Sequence, residues 1–405
     1  MLVTAQDLRE RELGEILARD PAEVRRWEAS LFDQLTGDKR NKLVLGGAGG
    51  LGRKILAGLR LAGIEPLCFA DQSAALAGQT VEGLPVLTPA EAANEFRREA
   101  AFVVTVWGAH SRDRLAERKA QWRALGCETV VSFMPLFWKF PKAYLPHYSC
   151  DLPHKVLEHS QSVARAGRLW DDDVSRMEFN AQIRWRTQLD FAGLPAPASG
   201  PAYFPKDVVS LKTDERFVDC GAFDGDTLRD FLRASGGQFD SYWGLEPDPA
   251  NFAKLRTLID TMDRSVKERM KIFPIAASHR REVLRFAAVA AASSNLNPAG
   301  DLEVQGERLD SLLGKLRPSF IKMDIEGAEP AALEGCARLL SNARPILAVS
   351  AYHLQEHLWE LPLYLAERLD NYRFFLRPHD LEGWDLVLYA IPAERAMNPA
   401  SSHPA

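Results

Sequence analysis

Alternation of short apolar segments with amphipathic segments is the feature that most constrains the fold of this chain. It occurs twice, first over about residues 41–135 and again from residue 216. Short apolar runs separated by helical patterns are typical of parallel β-sheets that carry helices on their faces. The sequence therefore predicts an α/β protein with two sheet-forming units.

The second unit has eight predicted strands, at residues 216–220, 242–246, 271–275, 283–289, 320–324, 346–350, 373–376 and 385–391. Helices are predicted between most of them, at 227–234, 249–262, 329–340 and 361–369. We expect the fourth strand to be an inserted edge strand. The other seven predict a doubly wound, mostly parallel sheet in the order 3-2-1-4-5-7-6, closed by a last antiparallel strand.

Composition and the Pro positions divide the rest of the chain. We predict N-terminal helices at 1–40, a smaller Rossmann-like α/β domain at 41–135, and a Pro-rich connector with one long helix (residues 172–191) at 136–212. The second unit then occupies 213–393, and 394–405 is a disordered tail.

Charge and cysteine usage exclude several classes of protein. The net charge of −5 comes with no basic block, so no nucleic-acid partner is expected. No apolar run approaches the ~18 residues of a membrane span, and charged residues occupy the N-terminus where an apolar leader would lie. Five cysteines without a CxxC pair indicate free thiols and a cytoplasmic location. The oligomeric state is not indicated.

A glycine turn ends the first strand of the second unit, and a predicted helix follows it. Such a turn lets a ligand approach the backbone and the helix N-terminus. The predicted cofactor contacts are Asp219, Gly221, Ala222, Phe223, Gly225, Asp226 and Thr227. The second strand ends in Glu246, and a carboxylate there can accept both ribose hydroxyls of a nucleoside. The alternative is that the glycines serve only the turn and Glu246 caps the next helix.

The choice of cofactor depends on charge. The turn lacks the third glycine of the dinucleotide fingerprint, and Asp224 and Asp226 crowd the place of a pyrophosphate. Carboxylates disfavour a diphosphate but tolerate an ammonium group. The pattern therefore favours S-adenosylmethionine over NAD.

Acid–base chemistry is predicted at two neighbouring strand ends. Asp324 and Glu326 follow the strand expected beside the glycine turn, so Asp324 is also a predicted cofactor contact, at the reacting end of the cofactor. His353 follows the next strand. A histidine there could deprotonate a hydroxyl near neutral pH, with Asp324 as the other candidate base, so these three form the predicted catalytic set. Asp324 and Glu326 could also hold a divalent cation, although the sequence does not require one.

Three strings together resemble one known family: the turn 219–227, Lys322-Met-Asp-Ile-Glu-Gly-Ala-Glu329, and Tyr352-His353. They are similar to the FkbM family of S-adenosylmethionine-dependent methyltransferases, over about residues 213–392. The resemblance implies a class I methyltransferase fold that methylates a hydroxyl on sugars or polyketide-type natural products. Phe223 stands where the wider class has a central glycine. Residues 169–175 and 203–205 resemble the lead-in region of longer members.

The first unit contains a separate motif. Gly47, Gly49 and Gly52 form a GxGxxG after a predicted strand, and Asp71 ends the next strand. This context fits a nucleotide or dinucleotide site. The alternative is a Rossmann-like domain that keeps the turn but binds nothing.

Together these features predict an S-adenosylmethionine-dependent O-methyltransferase acting on a small-molecule or saccharide acceptor, such as a polysaccharide precursor or related natural product. Two alternatives stay open. One is a non-catalytic nucleotide-sugar-binding or scaffold protein with a degenerate methyltransferase fold. The other is an NAD-dependent sugar epimerase or dehydratase that uses the first unit.

Overall fold

Two helices open the chain. The computed structural model describes residues 4–287, 295–296, 300 and 302–397. The helices are α1 (Ala5–Leu17) and α2 (Pro21–Thr36). Asp20 starts the second helix, because its side chain accepts a hydrogen bond from the Ala22 N–H and Pro21 takes the first helical position.

A six-stranded sheet forms the N-terminal α/β domain. Its strands are β1 (Leu43–Gly46), β2 (Cys68–Ala70), β3 (Thr80–Val81), β4 (Leu84–Leu87), β5 (Ala101–Val104) and β6 (Thr129–Ser132). The helices are α3 (Gly50–Leu61), α4 (Pro89–Phe96) and α5 (Leu115–Ala124). The strand order is β3-β4-β2-β1-β5-β6, and all neighbours are parallel except the β3–β4 hairpin. The predicted Rossmann-like α/β sheet is confirmed.

The connector is more helical than predicted. It contains α6 (Met134–Lys139), α7 (Pro141–Tyr144), α8 (Pro153–Glu158), α9 (Ser160–Gly167) and α10 (Asp173–Gln188). Only α10 was expected. Pro135, Pro141 and Pro153 lie in the first turns of α6, α7 and α8, where a missing N–H costs no helical hydrogen bond. The prolines therefore start helices here instead of excluding them.

The C-terminal half contains the remaining strands. They are β7 (Arg216–Cys220), β8 (Ser241–Leu245), β9 (Met270–Phe273), β10 (Ile275–Ala277), β11 (Glu282–Ala287), β12 (Asn295–Leu296), β13 (Leu302–Glu307), β14 (Phe320–Met323), β15 (Ile346–Ser350), β16 (Tyr372–Pro378) and β17 (Leu386–Pro392). The helices are α11 (Asp226–Ala234), α12 (Pro249–Asp260), α13 (Arg264–Lys267), α14 (Leu309–Leu312), α15 (Glu329–Gly335), α16 (Ala337–Ala343) and α17 (His357–Ala366).

Seven of these strands form one sheet in the order β16-β17-β15-β14-β7-β8-β9. Strand β17 is antiparallel to both its neighbours, and the other described pairs are parallel. The predicted class I methyltransferase sheet and its strand order are confirmed. Because β14 lies directly beside β7, the residues that follow these two strands meet at one edge of the sheet.

The prediction of an inserted edge strand at 283–289 was wrong. Strand β11 lies inside a separate four-stranded sheet of order β10-β13-β11-β12, where it pairs antiparallel with β13. No strand was predicted at the position of β13. Without this pairing partner, β11 was assigned to the edge of the seven-stranded sheet. Residues 288–289 of that prediction, and 398–405 of the predicted tail, lie outside the described residues.

The N-terminal and C-terminal sheets share a buried interface. Apolar residues from both belong to one continuous buried cluster. At its centre the rings of Trp107 and Tyr148 each lie 4.6 Å from the ring of Trp384. The Leu115 N–H also donates to Oε1 of Glu382 at 2.7 Å. The predicted domain boundaries stay predictions. None of the described helices is long and apolar enough to cross a membrane.

The first testable prediction concerns the GxGxxG turn. A Cβ on Gly52 would lie 2.0 Å from the carbonyl oxygen of Gly47, whereas a Cβ on Gly50 would meet no atom within 4 Å. We expect Gly52→Ala to lower the free energy of unfolding by about 1–3 kcal/mol or more through overpacking. Gly50→Ala is the matched control, and its better helix propensity should leave the protein unchanged or stabilise it by about 0.5–1 kcal/mol. Urea unfolding measures both, and equal effects would contradict the close contact.

Candidate active site

A cavity of about 380 Å³ lies at the carboxyl ends of β7, β8 and β14. Four parts of the chain line it: the loop after β5 (Ala109 and His110), the connector (Ala202 and Tyr203), strand β10 of the four-stranded sheet, and the seven-stranded sheet with its loops. The cavity therefore lies at the edge where open α/β sheets bind ligands, and it is closed by segments from outside the sheet.

The predicted glycine turn forms one wall of this cavity. A Cβ on Gly221, at φ +81°, would lie 1.9 Å from the carbonyl oxygen of Asp324, and one on Gly225, at φ +90°, would lie 2.4 Å from Leu258. Both glycines are therefore required by the chain's own contacts. From this turn Gly221, Phe223, Asp226 and Thr227 line the cavity, while Ala222 is buried in the core below it.

Asp219 lies behind the cavity wall. It is fully buried, its Oδ1 lies 3.1 Å from Nζ of Lys322, and its Oδ2 accepts a hydrogen bond from the Tyr242 hydroxyl at 3.0 Å. Lys322 also donates to the carbonyl oxygen of Gly221 at 2.6 Å. Burial alone lowers the pKa of Lys322, but neighbouring carboxylates, chiefly that of Asp219, outweigh burial and raise it. Asp219 therefore holds a charged lysine against the glycine turn.

Glu246 lies where a ribose acid is predicted. Its side chain lines the cavity, and the residue is only 5% exposed. One oxygen accepts from the Phe223 N–H and the other from the Asp248 N–H, both at 2.8 Å. Each oxygen therefore keeps lone pairs for a further donor. Burial raises the pKa of this carboxyl to about 7, although the two N–H groups act in the opposite direction.

His353 lies among carboxylates. Its Nδ1 is 2.8 Å from Oε1 of the fully buried Glu329, and its Nε2 is 3.3 Å from Oδ1 of Asp324. Burial alone would lower the pKa of His353, but the surrounding carboxylates, chiefly Glu329, raise it well above its usual value. An imidazolium has no lone pair to accept a proton. The environment of His353 therefore works against the predicted role as a neutral base.

Asp324 holds the centre of this group. Burial opposes its ionisation, but the adjacent imidazole of His353, with Nε2 3.3 Å from Oδ1, and the charge of Lys322 bring its pKa below the usual range. The Tyr203 hydroxyl donates to Oδ2 at 2.8 Å, and the Tyr352 hydroxyl lies 3.4 Å from Oδ1. Asp324 is therefore ionised at neutral pH and surrounded by donors.

Glu326 differs from Asp324 although the two are close in sequence. Its carboxylate lines the cavity, and no described residue donates a hydrogen bond to it. Its nearest cation is Nε2 of His353, at 3.7 Å. Burial raises its pKa to about 7, and the Asp324 charge adds to this shift. A carboxyl with that pKa can take up a proton near neutral pH.

Several cavity residues were not expected from the sequence. Tyr203, His110, Asp380 and Asp385 all line the cavity, together with Tyr352 and His379. The only signal for Tyr203 was its place in the lead-in string 203–205. His110 belongs to the other domain, and no local pattern indicates that it faces this sheet. Burial lowers the pKa of His379 to about 4, and its Nε2 lies 2.7 Å from the Tyr389 hydroxyl.

The N-terminal turn is shaped by its own contacts. Asp71 accepts hydrogen bonds at 2.8 Å from the Ala48 and Ser73 N–H groups. A Cβ on Gly47 would lie 2.5 Å from Val106, while one on Gly49 would meet no atom within 4 Å. Packing thus accounts for Gly47 and Gly52, and a hydrogen-bonded loop accounts for Asp71. Binding of a nucleotide or dinucleotide there stays a prediction.

Two groups of side chains in the described part of the chain have the composition of a metal site. They are Asp324 with Glu329 and His353, and His110 with Asp380 and Asp385. In the first group Nδ1 of His353 and Oε1 of Glu329 already contact each other at 2.8 Å, while Nε2 of His353 and Oε2 of Glu329 have no hydrogen-bond partner. A divalent cation at Asp324 and Glu326 stays a prediction.

Comparison with known proteins connects this geometry to a family. Residues 219–376 match the Methyltransferase FkbM domain. The crystal structure of methyltransferase FkbM from Methylobacillus flagellatus KT is similar over 96% of this chain and 99% of that one, with a TM-score of 0.75 and 23% identity, so it shows the shared fold of both sheets. No curated protein sequence matches significantly.

Two other structures align with less than half of the chain. Precorrin-6y C5,15-methyltransferase from Geobacter metallireducens GS-15 has a TM-score of 0.28 and 12% identity, over 45% of this chain and 81% of that one. Aeropyrum pernix fibrillarin, solved with natively bound S-adenosyl-L-methionine, has a TM-score of 0.28 and 13% identity, over 46% and 71%. Neither carries weight at that similarity. The FkbM match covers the glycine turn, Glu246 and the acidic motif, and we conclude that residues 219–376 form a methyltransferase FkbM domain.

Proposed function

We propose that this protein transfers a methyl group from S-adenosylmethionine to a hydroxyl of a saccharide or a related natural product. The observation that carries the proposal is one continuous cavity with two different ends. The glycine turn and Glu246 line one end, and Asp324 and Glu326 line the other, with His353 buried behind these two carboxylates. A nucleoside and a hydroxyl acceptor would each find suitable partners there.

The cofactor end fits S-adenosylmethionine. The carboxylate of Glu246 has free lone pairs for two ribose hydroxyls, and Asp226 offers a carboxylate to the ammonium group. S-adenosylmethionine supplies a methyl group on a positively charged sulfur, and the acceptor oxygen bonds to that carbon as the carbon–sulfur bond breaks. The protein's task is then to hold both partners at attack distance in a site shielded from water.

Proton removal at the acceptor end is assigned by charge and pKa. Asp324 stays ionised and is held by Tyr203 and His353, so it is suited to orient the acceptor hydroxyl. Glu326 has a pKa of about 7, which is the better match for a base at neutral pH. The positive charge of His353 reduces the electrostatic repulsion between the carboxylates of Asp324 and Glu326. The proposed catalytic residues are the three predicted from the sequence, but Glu326 takes the role of base that was predicted for His353.

A saccharide is supported by the character of the acceptor end. Carboxylates accept hydrogen bonds from several hydroxyls at once, and the rings of Tyr203 and Tyr352 offer apolar faces beside them. A purely apolar acceptor would leave the Glu326 carboxylate without a hydrogen-bond donor, which costs free energy.

The first prediction for this site is that Glu246→Ala weakens binding of S-adenosylhomocysteine by about 1.5–3 kcal/mol, the range of hydrogen bonds to a charged group. Isothermal titration calorimetry measures the affinity. Glu334→Ala, an exposed glutamate on α15, is the control and should leave the affinity unchanged. An unaltered affinity in a folded Glu246→Ala protein would place the ribose elsewhere.

The same carboxyl predicts a pH dependence. The ribose hydroxyls donate to the ionised form, and the pKa of Glu246 without ligand is about 7. Protons and ligand therefore compete, and the affinity should rise by up to about tenfold per pH unit below that pKa and level off above it. Calorimetry across this range in wild type and Glu246→Gln tests the assignment. If the amide variant keeps the same slope, another group is responsible.

The catalytic assignment predicts different effects at Glu326 and His353. Glu326→Gln cannot accept the proton, so we expect kcat to fall by about 10²–10⁴-fold with S-adenosylhomocysteine affinity unchanged. His353→Gln removes a positive charge, so the acidic limb of the kcat profile should move to higher pH. The measurement is S-adenosylhomocysteine formation with an acceptor found by saccharide screening. Near-normal kcat in Glu326→Gln would return the base to Asp324, His353 or solvent.

A further inference from the structure

A chain of hydrogen bonds runs from His379, at the edge of the seven-stranded sheet, to Asp324 at its centre. Nε2 of His379 lies 2.7 Å from the Tyr389 hydroxyl, and that hydroxyl accepts from the backbone N–H of Tyr203 at 3.2 Å. The Tyr203 hydroxyl donates in turn to Oδ2 of Asp324 at 2.8 Å. The chain therefore connects β16, β17 and the connector to the acceptor end of the cavity.

The direction of each hydrogen bond follows from the protons available. Burial raises the pKa values of the Tyr203 and Tyr389 hydroxyls, so both keep their protons at neutral pH. Burial also lowers the pKa of His379 to about 4, so its ring is neutral. Nε2 of His379 is the only described acceptor for the Tyr389 hydroxyl, which places the ring proton on Nδ1. The other tautomer would leave both the hydroxyl proton and Nδ1 without partners.

Tyr203 has a backbone conformation that a bulky residue rarely adopts. Its φ is +70°, in the left-handed region, and the residue is buried. Such a conformation costs free energy and persists where neighbouring groups restrain it. The Tyr389 hydroxyl binds the backbone of Tyr203, and Asp324 binds the end of its side chain. Tyr389 therefore stabilises the conformation in which Tyr203 reaches Asp324.

The other end of the hydrogen-bond chain is anchored in the protein. Tyr389 is completely buried, and the two charged groups that act on His379, Asp207 and Arg377, pair with each other at 2.8 Å. No ion pair of His379 therefore competes for Nε2 among the described residues. Both His379 and Tyr389 lie outside 219–376, the range that matches the FkbM domain.

We propose that Tyr389 and His379 are positioning residues of the methyl-transfer site, which act through Tyr203 to fix the orientation of the Asp324 carboxylate. This inference rests on the proposed function, in which Asp324 orients the acceptor hydroxyl. Tyr203 holds Oδ2 of this carboxylate, and Oδ1 lies 3.3 Å from Nε2 of His353. A rotation of the carboxylate would therefore alter both its contact with His353 and the geometry of transfer.

The test observes both ends of the chain in the full-length protein, by NMR of ¹⁵N-labelled histidines. The signals distinguish the two neutral tautomers from the imidazolium, and His379→Gln and His353→Gln assign them. We expect His379 to be neutral at neutral pH, with its proton on Nδ1. Tyr389→Phe should reduce the population of this tautomer and shift the His353 signal. Tyr203→Phe should shift the His353 signal alone.

Tyr372→Phe is the matched control. Tyr372 begins β16, at the opposite end of the strand from His379, and its hydroxyl donates to the carbonyl oxygen of Pro345 at 3.0 Å. This variant also loses one tyrosine hydrogen bond of the same sheet, but it should leave the His379 and His353 signals unchanged. Shifts as large as those in Tyr389→Phe would show a general structural effect and overturn the inference.

Two variants at His379 provide the test if Tyr389→Phe does not fold. His379→Gln keeps an acceptor oxygen for the Tyr389 hydroxyl, so the His353 signal should stay as in wild type. His379→Leu removes the acceptor, so the His353 signal should shift in the same direction as in Tyr203→Phe. Identical His353 signals in these two variants would contradict the inference.

Kinetics with an acceptor found by saccharide screening give a second measurement. Tyr389→Phe and Tyr203→Phe should each lower kcat by about tenfold and leave S-adenosylhomocysteine affinity within about twofold. The double variant should lose no more than Tyr203→Phe alone, because both substitutions act through one contact with Asp324. Losses that multiply in the double variant would show independent roles and overturn the inference.

The outcomes separate this inference from the proposed function. A His353 signal that does not move in folded Tyr389→Phe protein, or a wild-type His379 with its proton on Nε2, overturns the positioning role alone. A protein that shows the expected signals but does not bind S-adenosylhomocysteine overturns the proposed function itself.

Discussion

The buried ion pair between Asp219 and Lys322 is the interaction on which the rest of the site depends. It joins β7 to β14 in the middle of the sheet, and Lys322 continues from this pair to the carbonyl oxygen of Gly221. Removing one partner would leave an uncompensated charge in the interior, which is strongly destabilising. The same lysine, together with His353, lowers the pKa of Asp324 and so keeps it ionised. One buried pair thus supports both the shape of the glycine turn and the charge of Asp324.

The C-terminal sheet could be predicted from the sequence because its signals are local. Strands β7, β14 and β15 are completely buried or nearly so, and their short apolar runs stand out between helical patterns. The order of the strands then placed Gly221, Asp324 and His353 at one edge. The four-stranded sheet that contains β11 was not predicted, for the opposite reason. Its strand β13 is only partly buried, so no continuous apolar run distinguishes it from the surrounding chain.

The acceptor end could be predicted only in part. Asp324 and Glu326 follow a strand, but His110, Tyr203 and Asp385 come from three separate loops whose meeting depends on tertiary packing. The role of His353 was also beyond the sequence. Its charge state is set by Glu329, which lies on the following helix, and by two other carboxylates, and only their distances show that they outweigh burial.

The aromatic contact between Trp107 and Trp384 has a consequence for how such a protein can diversify. It attaches a loop of the N-terminal unit to the C-terminal sheet, so a segment outside the FkbM domain lines part of the cavity. Under the proposed function, substitutions near His110 would alter which molecule is accepted without touching Glu246 or the glycine turn. A lineage could therefore acquire new acceptors through its N-terminal domain while its transfer chemistry stays constant.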